Sequence, residues 1–215
     1  MKTSLTSEKL LVITAALYCC CLIVSNTIAG KTFDFFGIAS LPCAVVIFPV
    51  VYIANDLLTE VYGFKTARTV ILTGFAANLI AVAAYAATIA LPSSAFFAGQ
   101  DAFSTVLGNT PRLLLASFAA YLVGSFANAK VMQVMKGWDD DKLMLRCISS
   151  TLVGETLDAT IFIVIGFAGT MPVAALLTMV VAQAAFKTAY EVIVYPVTRK
   201  VILAARELPR AGQAA

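Results

Sequence analysis

Six long apolar segments dominate the sequence, and each is long enough to cross a lipid bilayer as a helix. Crossing about 30 Å of hydrocarbon takes about 20 helical residues, because each residue rises about 1.5 Å. The chain is 60% hydrophobic and only 13% charged, whereas a soluble domain is roughly one quarter charged. We therefore predict an all-α integral membrane protein with one six-helix domain over residues 1–215. The predicted spans lie near residues 10–29, 41–62, 68–91, 112–135, 146–168 and 172–204.

Basic residues flank these spans asymmetrically. With the N-terminus inside, twelve of the fifteen Lys and Arg residues lie on the cytoplasmic side, Lys31 and Arg112 lie outside, and Lys187 lies within a span. Since cytoplasmic flanks retain Lys and Arg, we predict that both termini are cytoplasmic. The net charge of +3 then reflects topology, so we expect no nucleic-acid partner. The first apolar segment is long for a signal peptide and lacks a clear cleavage site, so we expect it to be retained.

The cysteines do not form a metal-binding pattern. Cys19, Cys20 and Cys21 are consecutive, and on a helix they point in three directions and cannot jointly hold one ion. Cys43 and Cys147 are distant in sequence, and the chain has no histidine. We therefore predict no metal and no cofactor, and we interpret the cysteines as small packing residues.

Polar and charged side chains inside the spans are the positions most informative about function. A charge at the bilayer centre costs roughly 2.5–3.5 kcal/mol on insertion scales, so it is seldom kept without a role. Three groups occur at helical spacings of three or four residues, which puts each group on one helix face. The groups are Asn55, Asp56 and Glu60 in the second span, Glu155 and Asp158 in the fifth, and Gln183, Lys187 and Glu191 in the sixth.

The depth of these residues follows from the helical rise. Counted from the cytoplasmic end of the fifth span, Glu155 lies roughly 14 Å deep and Asp158 roughly 18 Å deep, which is near the midplane. Asp56 is buried by the same count, whereas Glu60 reaches only the inner interface. Lys187 lies at a depth similar to that of Asp56. We expect the three groups to meet in the inner half of the bundle.

The charges within the spans do not balance. Five carboxylates face the single cation Lys187. Either some carboxylates are protonated, or a ligand that is cationic or rich in hydrogen-bond donors binds between them. Local pairing is the alternative for two residues: Lys187 with Glu191 on the same helix, and Glu60 with Lys65 or Arg68. Glu155 and Asp158 have no basic residue nearby in their own span, which favours a transport site over a scaffold.

Helix breakers lie beside these polar groups. Pro49 precedes Asn55 and Pro196 follows Glu191, so we expect both helices to kink near the site. Such kinks are common in transporters, because freed backbone groups bind substrate. Two halves of three spans would have inverted topology, although the sequence similarity between the halves is too weak to establish a repeat.

Small and amide residues indicate helix contacts. We expect Asn78 and Asn128 to form hydrogen bonds between helices. The runs AVAAYAATIA and GSFANA serve either tight packing or an oligomer contact, so a homodimer is an open alternative.

Four segments together resemble one known family. They are ANDLLTEVYGFKTAR, GSFANAKVM, LRCISSTLVGETLDATIF and FKTAYEVIVYPVTRKV. They occur in the right order and are similar to the queuosine precursor transporter family, and the resemblance extends over essentially the whole chain. The resemblance implies import of a purine-like 7-deazaguanine base through the lipid bilayer of the bacterial cytoplasmic membrane. The base would be a cyano or aminomethyl queuosine precursor, or queuine itself.

The chemistry of such a base suggests roles for the polar residues. One carboxylate, from Glu155 or Asp158, would accept the adjacent N–H and exocyclic amine. Asn55 and Gln183 would address the carbonyl and ring nitrogens, and Lys187 would donate to the carbonyl. Phe162, Phe186 and Tyr190 are candidates for stacking on the base. The predicted substrate-binding set is Asn55, Asp56, Glu155, Asp158, Gln183, Lys187 and Glu191, with no catalytic residue.

Three function classes compete on sequence grounds. The first is a self-sufficient transporter, and the second is the substrate-binding subunit of an energy-coupling-factor transporter, which needs partner proteins. The third is an intramembrane aspartyl protease, whose paired aspartates in their characteristic settings we do not find. We therefore predict a transport protein that is not an enzyme.

Overall fold

Helices account for most of the chain. The computed structural model describes residues 6–135 and 143–209. Within that part, four segments are long and apolar enough to cross a membrane, namely Ser7–Ile28, Phe64–Ala90, Gln100–Asn128 and Val173–Arg206. The prediction of a mainly helical membrane protein is confirmed. The helices are α1 (Ser7–Ile28), α2 (Phe48–Tyr62), α3 (Phe64–Ala90), α4 (Gln100–Leu107), α5 (Thr110–Val134), α6 (Leu143–Phe167) and α7 (Val173–Arg206).

The second predicted span differs from the expectation. A hairpin of strands β1 (Thr32–Phe35) and β2 (Ala39–Pro42) is followed by a 3₁₀ turn at Cys43–Val46. The helix begins only at Phe48, so the prediction of helix from residue 41 was wrong. Pro49 lies in the first turn of α2, where a missing N–H breaks no helical hydrogen bond. It therefore belongs to the start of a helix and does not kink one.

Pro196, in contrast to Pro49, lies inside α7, as the sequence predicts.

Arg112 connects the ends of two neighbouring helices. Arg112, at the start of α5, donates from Nε to the carbonyl of Ile165 and from Nη2 to that of Ala168, both at 2.6 Å. These carbonyls belong to the end of α6, which leaves its last carbonyl groups without helical partners. The guanidinium thereby joins the ends of α5 and α6.

Two apolar cores divide the bundle. The first joins α1, α2 and α3 with Leu114 of α5, and it includes the fully buried Tyr18, Leu22 and Leu58. The second joins α5, α6 and α7 and includes Ile163 and Met179. Contacts of α2 with α7 and of α3 with α5 hold the two groups together. The boundary between the two cores is where the polar residues lie.

Asn78 of α3 does not behave as predicted. It is fully buried, yet neither its amide nitrogen nor its amide oxygen has a hydrogen-bond partner among the described residues. The neighbouring positions Phe75 and Val82 on α3 belong to the first apolar core. The expected hydrogen bond between helices is therefore absent there, because α3 presents Asn78 within an apolar face.

Glycines bring α5 and α6 into close contact. A Cβ atom on Gly154 would lie 2.9 Å from Asn128 Cβ and 3.0 Å from the carbonyl oxygen of Gly124. A Cβ atom on Gly124 would lie 2.9 Å from both Asp158 Cβ and the Gly154 carbonyl oxygen. These distances are shorter than van der Waals contact, so only glycine permits this approach. The contact fixes the depth and rotation of the Glu155 and Asp158 face.

Candidate functional site

Lys187 is the centre of a buried polar cluster between α6 and α7. Its Nζ donates to Asp158 Oδ2 and lies 3.1 Å from Glu155 Oε2. Side-chain exposure is 6% for Lys187, 12% for Glu155 and 13% for Asp158. The two acids are three residues apart on α6, so one helix face presents both to the same ammonium group. The predicted meeting of the fifth and sixth spans is thus observed.

A tyrosine from α2 completes this cluster. The hydroxyl of Tyr52 donates to Glu155 Oε2 at 3.1 Å, and it accepts from Lys187 Nζ at 2.9 Å. The ammonium group also lies 5.0 Å from the ring centroid of Phe48 and 5.3 Å from that of Tyr52. Aromatic faces attract cations at such distances. We call Tyr52, Glu155, Asp158 and Lys187 the ion-pair cluster.

The cluster contains two carboxylates and one ammonium group. With all three ionised its net charge is −1, and that charge is largely removed from solvent. Buried charges are costly unless they are paired and hydrogen-bonded. Lys187 supplies the cation that α6 lacks, but it balances only one acid. The cluster is therefore chemically suited to take up a proton, a cation or a group with several N–H donors.

Two pockets lie on opposite sides of Lys187 along α7. The first, which we call the amide pocket, has an empty volume of about 360 Å³ including its opening. Its polar and aromatic lining comprises Asn26, Phe48, Ser117, Asp158, Phe162, Gln183 and Lys187. The second, which we call the tyrosine pocket, has an empty volume of about 480 Å³ including its opening. Its lining includes Tyr52, Asp56, Lys187, Tyr190, Tyr195 and Thr198.

Lys187 and Phe48 line both pockets. The order of residues on α7 fixes the arrangement, because Gln183 precedes Lys187 by one turn and Tyr190 follows it by one turn. The amide pocket therefore lies toward the beginning of α7 and the tyrosine pocket toward its end. The lysine and phenylalanine side chains stand between the two spaces.

The broken second span contributes to the amide pocket. Pro42, Ala44 and Val45 line it, and they lie in the strand end and 3₁₀ turn before α2. Non-helical backbone at membrane depth is tolerated where it is buried in protein or lines a cavity. The irregular segment thus lies beside the polar cluster, as expected for a transporter binding site.

Two amide side chains of the amide pocket have unsatisfied atoms. Asn26 is 2% exposed and Gln183 3% exposed. The Nδ2 atom of Asn26 and the Oε1 atom of Gln183 have no hydrogen-bond partner in the described part of the chain. One unpaired donor and one unpaired acceptor therefore belong to side chains that line the same small space.

Other predicted site residues fall at different places. Asp56 is exposed and lines the tyrosine pocket together with Tyr52 and Lys187. Asn55 is partly buried, and it is not among the lining residues of either pocket. The side chain of Glu191 lies outside the described residues, so its predicted role in substrate binding and the alternative pairing with Lys187 both stay predictions.

Glu60 and the aromatic candidates are also separated. Glu60 pairs with Arg206 Nη2 at 2.6 Å, and both side chains are about half exposed. The position of Glu60 at the interface was predicted, but the expected partners Lys65 and Arg68 were wrong, because Glu60 pairs with Arg206 at the end of α7. Phe162 lines the amide pocket and Tyr190 the tyrosine pocket. Phe186 instead packs edge-on against Phe35 of the hairpin, at 6.0 Å between ring centroids.

Sequence reasoning missed Tyr52 and Asn26. Tyr52, Asp56 and Glu60 form a stripe with four-residue spacing on α2, so the helical period placed Tyr52 on a polar face. Asn26 is an amide within the first apolar span, in LIVSNTIA, and its position alone marked it as a candidate. Neither residue stood out, because a tyrosine or asparagine is less costly to bury than a charge.

Comparison with known proteins places this arrangement in a family. Residues 42–201, about three quarters of the chain, match the family described as "Putative vitamin uptake transporter". A protein of Bacillus subtilis (strain 168), named "Probable queuosine precursor transporter", is 26% identical over 176 residues, which cover 81% of this chain and 76% of that protein. No solved structure significantly matches the chain. The matched range contains the whole ion-pair cluster.

Proposed function

Because the chain belongs to the vitamin uptake transporter family, it is a multi-pass membrane transporter of a small molecule and not an enzyme, and we propose that it imports queuosine precursors. The relative from Bacillus subtilis carries that activity in its name. The proposed substrates are 7-cyano- or 7-aminomethyl-7-deazaguanine, or queuine. The proposed location is the cytoplasmic, or inner, membrane of a bacterium.

The ion-pair cluster is the observation that carries this proposal. It combines two acids and one lysine beside a pocket, so one carboxylate is not balanced. A guanine-like base presents a ring N–H next to an exocyclic amine, and a carboxylate accepts such a pair with its two oxygens. Asp158 lines the amide pocket directly. We assign it the donor edge of the base, with Glu155 behind it as a partner of Lys187 and Tyr52.

The planar base also requires an apolar surface. Phe162 is 7% exposed and lines the same pocket, so it is the proposed stacking residue. Aromatic and apolar walls with a few placed polar groups are typical of small-molecule sites. Gln183 lies one turn before Lys187 on α7 and supplies an amide group to the same pocket.

The two pockets support a route through the bundle. We propose six spans formed by α1, α2, α3, α5, α6 and α7, with both termini cytoplasmic as the positive-inside rule favours. The amide pocket then faces the outer half of the membrane and the tyrosine pocket the cytoplasmic half. Substrate held at Asp158 reaches the second pocket when Lys187 and Phe48 move aside. The two three-helix groups are the bodies that would rock against each other.

The test is complementation by the chain alone. A bacterial strain that keeps the later steps of queuosine synthesis, but lacks the enzymes that make the precursors and its own importer, is supplied with a low concentration of each precursor. Queuosine in tRNA is then measured with and without expression of this protein. Restored queuosine supports an autonomous transporter of that precursor.

Two negative outcomes have different meanings. Restoration only when energy-coupling-factor proteins are co-expressed would assign the chain to the subunit class. Absence of queuosine in both cases, with the protein present in the membrane at a normal level, would overturn the proposed substrate. Membrane fractionation and immunoblotting of the same cells provide the expression control.

A further inference from the structure

We propose that Asn26 of α1 is a substrate-binding residue that donates a hydrogen bond to the ring carbonyl of the base. The inference rests on the proposed function and adds a residue from the first span to the site. Asn26 lies outside residues 42–201, which match the family. Its assignment therefore depends on the geometry of this chain.

The first argument is burial without a partner. Asn26 is 2% exposed, and its Nδ2 atom has no hydrogen-bond partner among the described residues. Most buried polar groups in proteins are hydrogen-bonded, and an exception calls for an explanation. Asn78 is a second exception on α3, but it does not line either described pocket. Asn26 does, which allows a ligand to supply the missing acceptor.

The second argument is the position of Asn26 in the amide pocket. It shares the lining with Asp158, Ser117 and Gln183, which come from three other helices. Gln183 has an unpaired acceptor, Oε1, whereas Asn26 has an unpaired donor, Nδ2. The pocket thus offers a carboxylate, a donor and an acceptor that come from three different helices.

This combination matches the polar atoms of a guanine-like ring. With the N–H and exocyclic amine bound to Asp158, the ring carbonyl lies next to the bound N–H. A donor adjacent to the carboxylate is required there, and Asn26 is that donor. The N–H of the five-membered ring lies on the far side of the base and pairs with the free acceptor of Gln183. A site built to bond a polar group discriminates strongly against ligands that lack it.

The experiment changes one atom of the ligand and one side chain of the protein. 7-Deazaguanine and its 6-thio analogue compete with uptake of a labelled precursor. Sulfur is a weak acceptor, and the analogue keeps the N–H and amine donors. For the unchanged protein we expect the oxo compound to inhibit about tenfold better than the thio compound, since one hydrogen bond differs. For Asn26→Leu we expect this preference to fall to about unity.

Matched variants separate binding from packing. Asn78→Leu makes the same chemical change at a buried asparagine away from the two pockets, so the oxo preference should persist. Asn26→Ala is the second variant in case leucine prevents folding, and it should lose the preference equally. Because the preference is a ratio within one variant, the expression level cancels.

The outcomes are distinct. Inhibition of the unchanged protein by 7-deazaguanine, together with an undiminished oxo preference in a folded Asn26 variant, would overturn the role of Asn26 and leave the proposed function intact. Absence of labelled precursor uptake by the unchanged protein would overturn the proposed function itself. Loss of the oxo preference in Asn78→Leu as well as in the Asn26 variants would indicate a general packing effect and would also refute the assignment.

Discussion

Lys187 on α7 contacts both acids of the neighbouring helix α6, but the other contacts of the two acids differ. Asp158 both accepts from Lys187 and lines the amide pocket. Glu155 shares its Oε2 atom with Lys187 and Tyr52. At the scale of single residues, the cluster therefore separates an acid that meets the pocket from an acid that holds the lysine and tyrosine in place.

Neutralising Glu155 tests this division. We expect Glu155→Gln to abolish precursor uptake and to leave membrane insertion intact, because Lys187 keeps its partner Asp158. The matched control is Glu60→Gln, which makes the same change at an ion pair about half exposed. Such pairs contribute about 0–1 kcal/mol, so its uptake should remain near the unchanged level. Uptake assays and immunoblots of membranes measure both; normal uptake by Glu155→Gln would remove this residue from the site.

Removing one hydroxyl tests the role of Tyr52. Tyr52→Phe keeps the ring near Lys187 but removes the bonds to Glu155 and Lys187. Hydrogen bonds to charged groups contribute about 1.5–3 kcal/mol, so we expect uptake at low precursor to fall about tenfold or more. Tyr85→Phe is the control, since it removes only a 3.4 Å contact with Thr27. Equal uptake by the two variants would show that the Tyr52 hydroxyl is dispensable.

Two elements position these residues. The glycine contact between α5 and α6 sets where the acidic face of α6 lies, and the strand end and 3₁₀ turn before α2 form one side of the amide pocket. Neither element bears a charge of the cluster. Both act by determining how close the backbones approach, which is a property of small residues and proline.

A single methyl group tests the helix contact. Gly154→Ala places Cβ 2.9 Å from Asn128 Cβ and 3.0 Å from the Gly124 carbonyl oxygen, so α5 and α6 must separate. Overpacking of this kind costs about 1–3 kcal/mol, and we expect a lower melting temperature in detergent and reduced uptake. Gly30→Ala is the control, because its nearest contact is an ordinary 3.6 Å to Leu113 Cδ1. Equal melting temperatures for the two variants would contradict the tight contact.

At the scale of the whole molecule, two apolar cores meet at a polar boundary, one mainly from α1, α2 and α3 and the other mainly from α5, α6 and α7. Ser7 at the start of α1 donates its N–H to the carbonyl of Pro209 after α7, so the start of α1 and the end of α7 lie on the same side of the bundle. This agrees with an even number of crossings. Large exposed apolar side chains such as Val12, Leu79 and Val181 cover the outside, as a lipid-facing surface requires.

Reporter fusions test the proposed topology. A fluorescent protein fused to the C-terminus should fluoresce, because it folds in the cytoplasm. Alkaline phosphatase inserted between α3 and α4, within residues 91–99, should be active, because it requires the outer compartment. Phosphatase fused after α2 serves as the control and should be inactive. A C-terminal fusion that is present in the membrane but does not fluoresce would contradict six spans with both ends inside.

Much of this arrangement follows from local sequence. Helical spacing of Glu155 and Asp158 puts them on one face whatever surrounds them, and long apolar runs require helices because a bilayer offers no partner for backbone groups. The same logic failed for residues 41–47, since an apolar run does not distinguish a helix from a buried strand and turn. Pro42 in that stretch and Pro49 just after it marked the boundary that hydropathy obscured.

The sequence by itself determined which residues are costly to bury and which helix face each one occupies. Only the tertiary structure decided which faces meet: Lys187 with the acids of α6, Tyr52 between them, Glu60 with Arg206, and Asn26 beside Gln183. The physical reason is that periodicity is a property of one helix, whereas the partner of a side chain depends on the packing and rotation of its neighbours. In this chain that packing is set by glycines and by a broken span, neither of which carries the charge it positions.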